Sequence, residues 1–227
     1  GSNAHTAEAI ETEFFDLLDV LDEHFQHWPY LLGGHPSLAD FGFMAPLFAH
    51  LGRDPSPSQR LRLRAPNVAR WIERMNLAVI ADGEFPDVPA AFDVEDRVPP
   101  TLLPLLALIF RDWTPELLAN AQAFNAWATA HPHLSDGAFV ALDGKKRVHP
   151  HVGPIAYRWR GCTVERVSAP QTLWHFGRFQ QQLVACDGEA LDRLLMVLEQ
   201  AGGQEACALK LVRHIERRHY GLVIGPS

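Results

Sequence analysis

Tyr30-Leu31-Leu32-Gly33-Gly34-His35-Pro36-Ser37-Leu38-Ala39-Asp40 is the stretch on which the fold turns. Leu32-Gly33-Gly34-His35-Pro36 reads as a tight turn, because glycine and proline pairs punctuate regular structure. Ser37 then opens a helix. Its hydroxyl is placed to cap the backbone amide of Asp40, and the Asp40 carboxylate is placed to reach back to the amide of Ser37. This is a capping box with Asp where Glu or Gln is more usual, and its predicted role is folding.

Working outward, residues 8–27 carry Ile10, Phe14, Leu17, Leu18, Leu21, Phe25 and Trp28 at helical spacing. Glu8, Glu11, Asp16, Asp19, Asp22 and Glu23 take the opposite face, so this is an amphipathic helix with one strong stripe. It stops before Pro29. Gly1-Ser2-Asn3-Ala4 reads as the scar of a cleaved expression tag, and the abrupt helical start predicts a piece cut from a longer chain. After Asp40, Phe43, Met44, Leu47, Phe48 and Leu51 predict a deeply buried helix ending at Gly52, with Gly42 at a close helix approach. Ser56-Pro57-Ser58-Gln59 reads as a second capping box with Pro at the first helical position. Ala65-Pro66-Asn67 restarts the chain into a helix over 66–80, with Val68, Trp71, Ile72, Met75 and Val79 inward.

Residues 82–100, acidic and rich in proline, read as a surface loop, either ordered or flexible. A buried helix is expected over 101–112. A separate one starts at Thr114-Pro115-Glu116 and runs to Ala130, with Leu117, Ala121, Phe124 and Ala128 inward. The character changes after Ser135. Phe139–Leu142 and Arg147-Val148 resemble two short strands around Asp143-Gly144-Lys145-Lys146, and Tyr157–Val167 is a further extended piece. Helices are expected again over 170–186, 189–200 and 204–219.

The 227 residues, 47% hydrophobic and 21% charged, suit a globular chain able to bury its own core. A net charge of -7 and an isoelectric point near 5.9 argue against nucleic acid and anionic membranes as partners. No apolar run reaches the roughly 18 residues a membrane span requires. Cys162, Cys186 and Cys207 are scattered and odd in number, which favours unpaired thiols in a reducing cytoplasm.

The turn from Tyr30 to Gly33 followed by Ser37-Leu38-Ala39-Asp40 resembles the C-terminal domain of glutathione transferases, where a "yLlG" turn leads into "S/T-x-A-D". Ala65-Pro66-Asn67-Val68-Ala69-Arg70-Trp71 is similar to that family's next helix, "P-x-v-x-x-W". The resemblance is good over 27–80, extends over 8–130 and fades beyond. It implies an all-α helical bundle over residues 5–134. Residues 135–227 then form an extension on the same domain, holding a small β-hairpin insertion near 138–160 and extra C-terminal helices. It maps Ser37 and Asp40 onto the family's structural cap. It further implies a parent protein with a thioredoxin-like N-terminal domain that holds glutathione, a homodimer, and conjugation of the glutathione thiolate to an electrophile. On this reading the present chain carries no catalytic group or cofactor of its own and is inactive alone. The competing reading is a non-catalytic interaction or ligand-binding module with the same helical fold.

Other residues invite chemistry. Trp113, and Trp174 with His175, are candidates to line a pocket for an aromatic electrophile, although aromatics at helical spacing more often form core. His131-Pro132-His133 and His149-Pro150-His151 offer four imidazoles to zinc, but no carboxylate or thiolate pattern supports them and loop histidines are the favoured reading; no metal is expected. Cys162 lies near Arg158, Arg160 and Arg166, which would acidify it if they were close; with no base partner, an inert thiol is favoured. Arg60, Arg62 and Arg64 are better read as the solvated face of a helix than as a docking site. Nucleotide-binding loops and the H-E-x-x-H metalloprotease pattern do not occur.

Overall fold

The computed structural model describes residues 2–77, 83–93 and 97–226. The chain divides into two compact units, Ile10–Leu108 and Gly1–Ala9 together with Ile109–Ser227. The division falls inside a helix that the sequence reading places wholly within 5–134. Just over half of the chain is helical, and the rest includes two short hairpins, so the architecture is mostly, not purely, α.

The first unit is built on α1 (Ala7–His27), α2 (Leu38–Pro46), α3 (Pro55–Arg64) and α4 (Pro66–Met75). Leu18, Leu21 and Phe25 of α1 are buried against a core that includes Leu61, Val68, Trp71 and Ile72, and the Phe25 and Trp71 rings stack 4.9 Å apart. Ala65 provides no side-chain cap for α4. Asp22 of α1 does so instead: its Oδ1 accepts from the amides of Asn67 (2.7 Å) and Val68 (3.2 Å). Arg60 and Arg64 pair with Glu11 and Asp19 across the α1 surface, so the arginine run is a solvated, paired face.

The turn before α2 is held by side chains from three helices. Arg74 Nε donates to the Pro29 carbonyl at 3.1 Å, and the buried His24 ring bonds the Tyr30 carbonyl at 3.1 Å. The Leu31 amide donates to Asp40 Oδ1 at 3.0 Å. Loop 83–93 closes the other side, with Asp93 N donating to Leu32 O and Gly34 N donating to Ala91 O. A Cβ at Gly34 would lie 1.8 Å from the Pro89 carbonyl oxygen, and Gly33 has φ of +116°, so both positions require glycine.

Asp40 is fully buried and accepts four hydrogen bonds. Oδ1 takes the Leu31 amide and Trp71 Nε1–H (3.0 Å); Oδ2 takes the Ser37 amide (2.8 Å) and hydroxyl (2.7 Å). The Asp40 amide donates back to Ser37 Oγ at 3.4 Å.

Several expectations are corrected. Helix α2 is not deeply buried: Leu38 is 90% and Phe41 59% exposed, and nothing lies within 4 Å of a Cβ built on Gly42. Apolar count alone cannot say which side of a helix a neighbour covers. Pro46 has no N–H to donate to Gly42, and the following turn, Leu47–Leu51, widens to π geometry. The box at Ser56 does not form; Pro55 is preorganised for the first helical position and starts α3 earlier. Helix α4 ends at Met75, and 78–80, including Val79, lie outside the described residues.

The two helices expected over 101–112 and 114–130 are one, α5 (Leu103–Ala130), preceded by a 3₁₀ turn at Pro100–Leu102. Pro115 sits inside it. An interior proline costs on the order of 3 kcal/mol, and burial of single residues such as Leu117 and Phe124 offsets that at about 1.5–3 kcal/mol each.

The second unit packs α6 (Pro170–Ala185), α7 (Gly188–Gln200) and the four-residue α8 (Gln204–Cys207) with two antiparallel hairpins. Strands β1 (Pro154–Trp159) and β2 (Cys162–Val167) pair Ile155 with Arg166 through Trp159 with Cys162. Their turn puts Arg160 and Gly161 at positive φ, the two-residue geometry that matches strand twist. The hairpin expected around 143–146 is not formed. Asp143 and Gly144 do turn, but Phe139 bridges Val223 instead, and Val140 N donates to Leu222 O. The helix expected over 204–219 is likewise replaced by α8 and by β3 (Ile215–Arg218) paired with β4 (Gly221–Ile224). All of β4 is buried, within a core that includes Leu117, Phe124, Val140, Leu173 and Phe176.

Replacing Asp40 by Ala leaves the buried Leu31 amide and Trp71 indole N–H without their acceptor, and urea denaturation should show a loss of roughly 3 kcal/mol or more. Ser37→Ala removes only part of the cap and should cost about 1 kcal/mol; equal losses would contradict the four-bond role of Asp40.

Burial holds the His24 imidazole below its ordinary pKa, outweighing the bond to the Tyr30 carbonyl and the field of Asp40, which both favour protonation. The folded state therefore takes up fewer protons than the unfolded chain. Stability from this group is present above about pH 6.5 and is lost as pH falls towards the lowered folded value. Melting temperatures at pH 7.5 and 5.5 should fall further in the native chain than in His24→Gln, and parallel curves would remove His24 from the account.

Candidate functional site

Helix α6 presents Trp174 and, four residues on, Arg178 from the same face. Opposite lies the segment that leads from α8 into β3. Together they line a groove of about 770 Å³, whose walls include Leu173, Trp174, Arg178, Lys210, His214 and Arg217. Arg178 and Arg217 both place their guanidinium carbons near the Trp174 ring, at 5.6 and 5.5 Å from its centroid. Among the described residues neither has a carboxylate within 4 Å. Glu216, the acid of the lining, is paired with Arg218 at 2.7 Å.

The far wall has little regular structure, but two amides clamp it. Gln180 Nε2 donates to the carbonyls of Cys207 (3.3 Å) and Leu209 (2.8 Å). Asn125 donates to the Lys210 carbonyl (3.0 Å) and accepts from the Val212 amide (2.9 Å).

The sequence candidates separate. Trp174 lines the groove, and the exposed His175 ring lies beside it at 4.5 Å with Nε2 next to the Gln171 amide. Desolvation, then the charges of Arg178 and Arg217, hold the His175 pKa below its ordinary value. Trp113 instead packs into the core against Phe176, ring centroids 5.5 Å apart, and is not among the residues that line this groove. Ser37 and Asp40 belong to the first unit and to its folding. Lys210, His214 and Arg217 stand at i, i+4 and i+7, so in a helix over 204–219 they read as one solvated face with nothing to set them against Trp174; only the Trp174–Arg178 spacing was a readable signal.

Cys162 is buried, and its thiol donates to the His5 carbonyl at 3.4 Å, the environment of a packed thiol. All three cysteines are unpaired. Among the described residues, no group of three or more His, Cys, Asp or Glu side chains is arranged to hold a metal ion. His131 Nδ1 bonds the Trp127 carbonyl within its own helix end, while His149 and His151 line a separate cleft. No described helix is long and apolar enough to cross a membrane.

No curated protein and no solved structure matches the chain. Residues 4–74, which contain α1, the pinned turn, the Ser37–Asp40 box and most of α4, match the family described as "Glutathione S-transferase, C-terminal domain". Over this segment the chain is similar to a glutathione S-transferase C-terminal domain.

Proposed function

We propose that the chain serves as the helical domain of a glutathione transferase-like enzyme whose glutathione is held and activated by a thioredoxin-like domain. The observation that carries this reading is the family match over 4–74 together with the Asp40-centred tie inside it. In such an enzyme the chemistry is attack of the glutathione thiolate on an electrophile, accelerated by holding the two in register. Glutathione is its co-substrate. The helical domain contributes scaffold and electrophile-facing surface, and none of its side chains acts on the thiol.

The exposed apolar face of α2, with Leu38 and Phe41, supports a covered surface in the working assembly, either beneath the thioredoxin-like domain or in a homodimer. Unpaired cysteines suit a cytoplasmic setting. The second reading, an interaction module without catalysis, draws on the same exposed face.

The two readings part on glutathione. The purified chain should show no conjugation of a chromogenic aryl halide, and its melting temperature should be unmoved by millimolar glutathione, since only a ligand of the folded state raises it. Joined to a thioredoxin-like domain from its own gene neighbourhood or reading frame, it should gain conjugation. A joined protein that binds glutathione yet never turns over would favour the module.

A further inference from the structure

We propose that the groove between α6 and the 207–217 segment is a binding site for a small amphipathic organic anion, an apolar body carrying one carboxylate or sulfonate. This goes beyond the transferase reading, because the groove belongs to the second unit and is formed wholly by residues past the 4–74 match.

Charge is the first argument. The chain as a whole carries -7, yet this groove gathers Arg178, Lys210 and Arg217, and the acid in its lining is already engaged by Arg218. Two guanidiniums meet at one indole, and no described carboxylate lies within ion-pair distance of either. An anion reaching either arginine would receive planar, forked donors suited to a carboxylate or sulfonate.

Shape and composition supply the second. The groove has the volume of a small-molecule site. Its floor and walls combine the buried Leu173 with Leu209, Leu211 and Ile215, and Val184 lies 86% exposed at its side. The Trp174 ring adds aromatic surface to the lining. The clamps from Gln180 and Asn125 hold the irregular wall in place before any ligand arrives, which lowers the ordering cost of binding. Glutathione, polar throughout, lacks the apolar body this surface asks for.

The probe pair 1-naphthoate and 1-naphthamide differs only in charge. Titration calorimetry with the full chain should give one saturable site for naphthoate and binding of the amide weaker by roughly fivefold or more, the scale of two exposed charge contacts. The double variant Arg178→Gln/Arg217→Gln should lose roughly fivefold or more for naphthoate, and both guanidiniums lie at the surface, so folding should persist, as circular dichroism would show. Arg62→Gln, an exposed arginine of the first unit, should bind as the native chain does. Absence of saturable naphthoate binding, a smaller loss in the double variant, equal affinity for the amide, or an equal loss in Arg62→Gln would each overturn the site. So would capture of an acidic peptide with no naphthoate binding, which would assign the groove to a protein partner. None of these outcomes bears on conjugation by the joined enzyme, so the two proposals fail independently.

Discussion

The first unit depends on one buried carboxylate. Removing Asp40 from water costs several kcal/mol in real proteins, and a carboxylate is retained in such a place only where donors surround it. Here four do, and they come from three different parts of the chain: the turn at Leu31, the helix start at Ser37 and the indole of Trp71 on α4. Oxygen by oxygen, Oδ2 closes the N-terminus of α2 and Oδ1 ties that terminus to the turn and to α4. The same turn has its Pro29 and Tyr30 carbonyls bonded by Arg74 and His24, and its Leu32 carbonyl by Asp93. A buried turn has to place each backbone polar group somewhere; this one places the Pro29 and Tyr30 carbonyls and the Leu31 amide on side chains of α4, α1 and α2, and others on backbone of the turn and the 89–93 loop. Glycine at 33 and 34 is the geometric condition for that arrangement, since the 89–93 loop lies where side chains would stand.

This explains which parts of the fold were legible in the sequence. The capping box could be read because it is local: Ser37 and Asp40 stand three residues apart, and their bonds need nothing else. The reach of Asp40 to Leu31 and Trp71 is tertiary and left no periodic trace. Helix α1 was legible because half of it faces core and half faces water. Helix α2 misled because its apolar residues encircle it, a pattern shared by buried helices and by helices with an unclaimed face. In the second unit, Leu209, Val212 and Ile215 fall near helical spacing, and no Asn-Gly or Asp-Gly marks the reversal at His219-Tyr220, where both residues take positive φ. That conformation is uncommon for non-glycine residues, and it is accepted where the partner strand is buried throughout, as β4 is. Tertiary burial chose the hairpin over the local preference.

The groove shows the same division. Trp174 and Arg178 are one helical turn apart and were within reach of the sequence. Arg217 joins them only because residues 215–218 form a strand, so the pairing of two guanidiniums over one ring is a product of the hairpin. Its energetics are finely balanced. An exposed cation–π contact contributes about 0.5–1 kcal/mol. Two like charges held by one ring also repel each other, by a few tenths of a kcal/mol or more in water. An anion that reaches either guanidinium relieves that repulsion while leaving the contact with the ring intact, so ligand charge and the aromatic surface act together there. The matched segment and the groove thus draw on separate physics in separate units: one is closed around a carboxylate whose bonding capacity is spent, the other is lined by cations whose bonding capacity is still open.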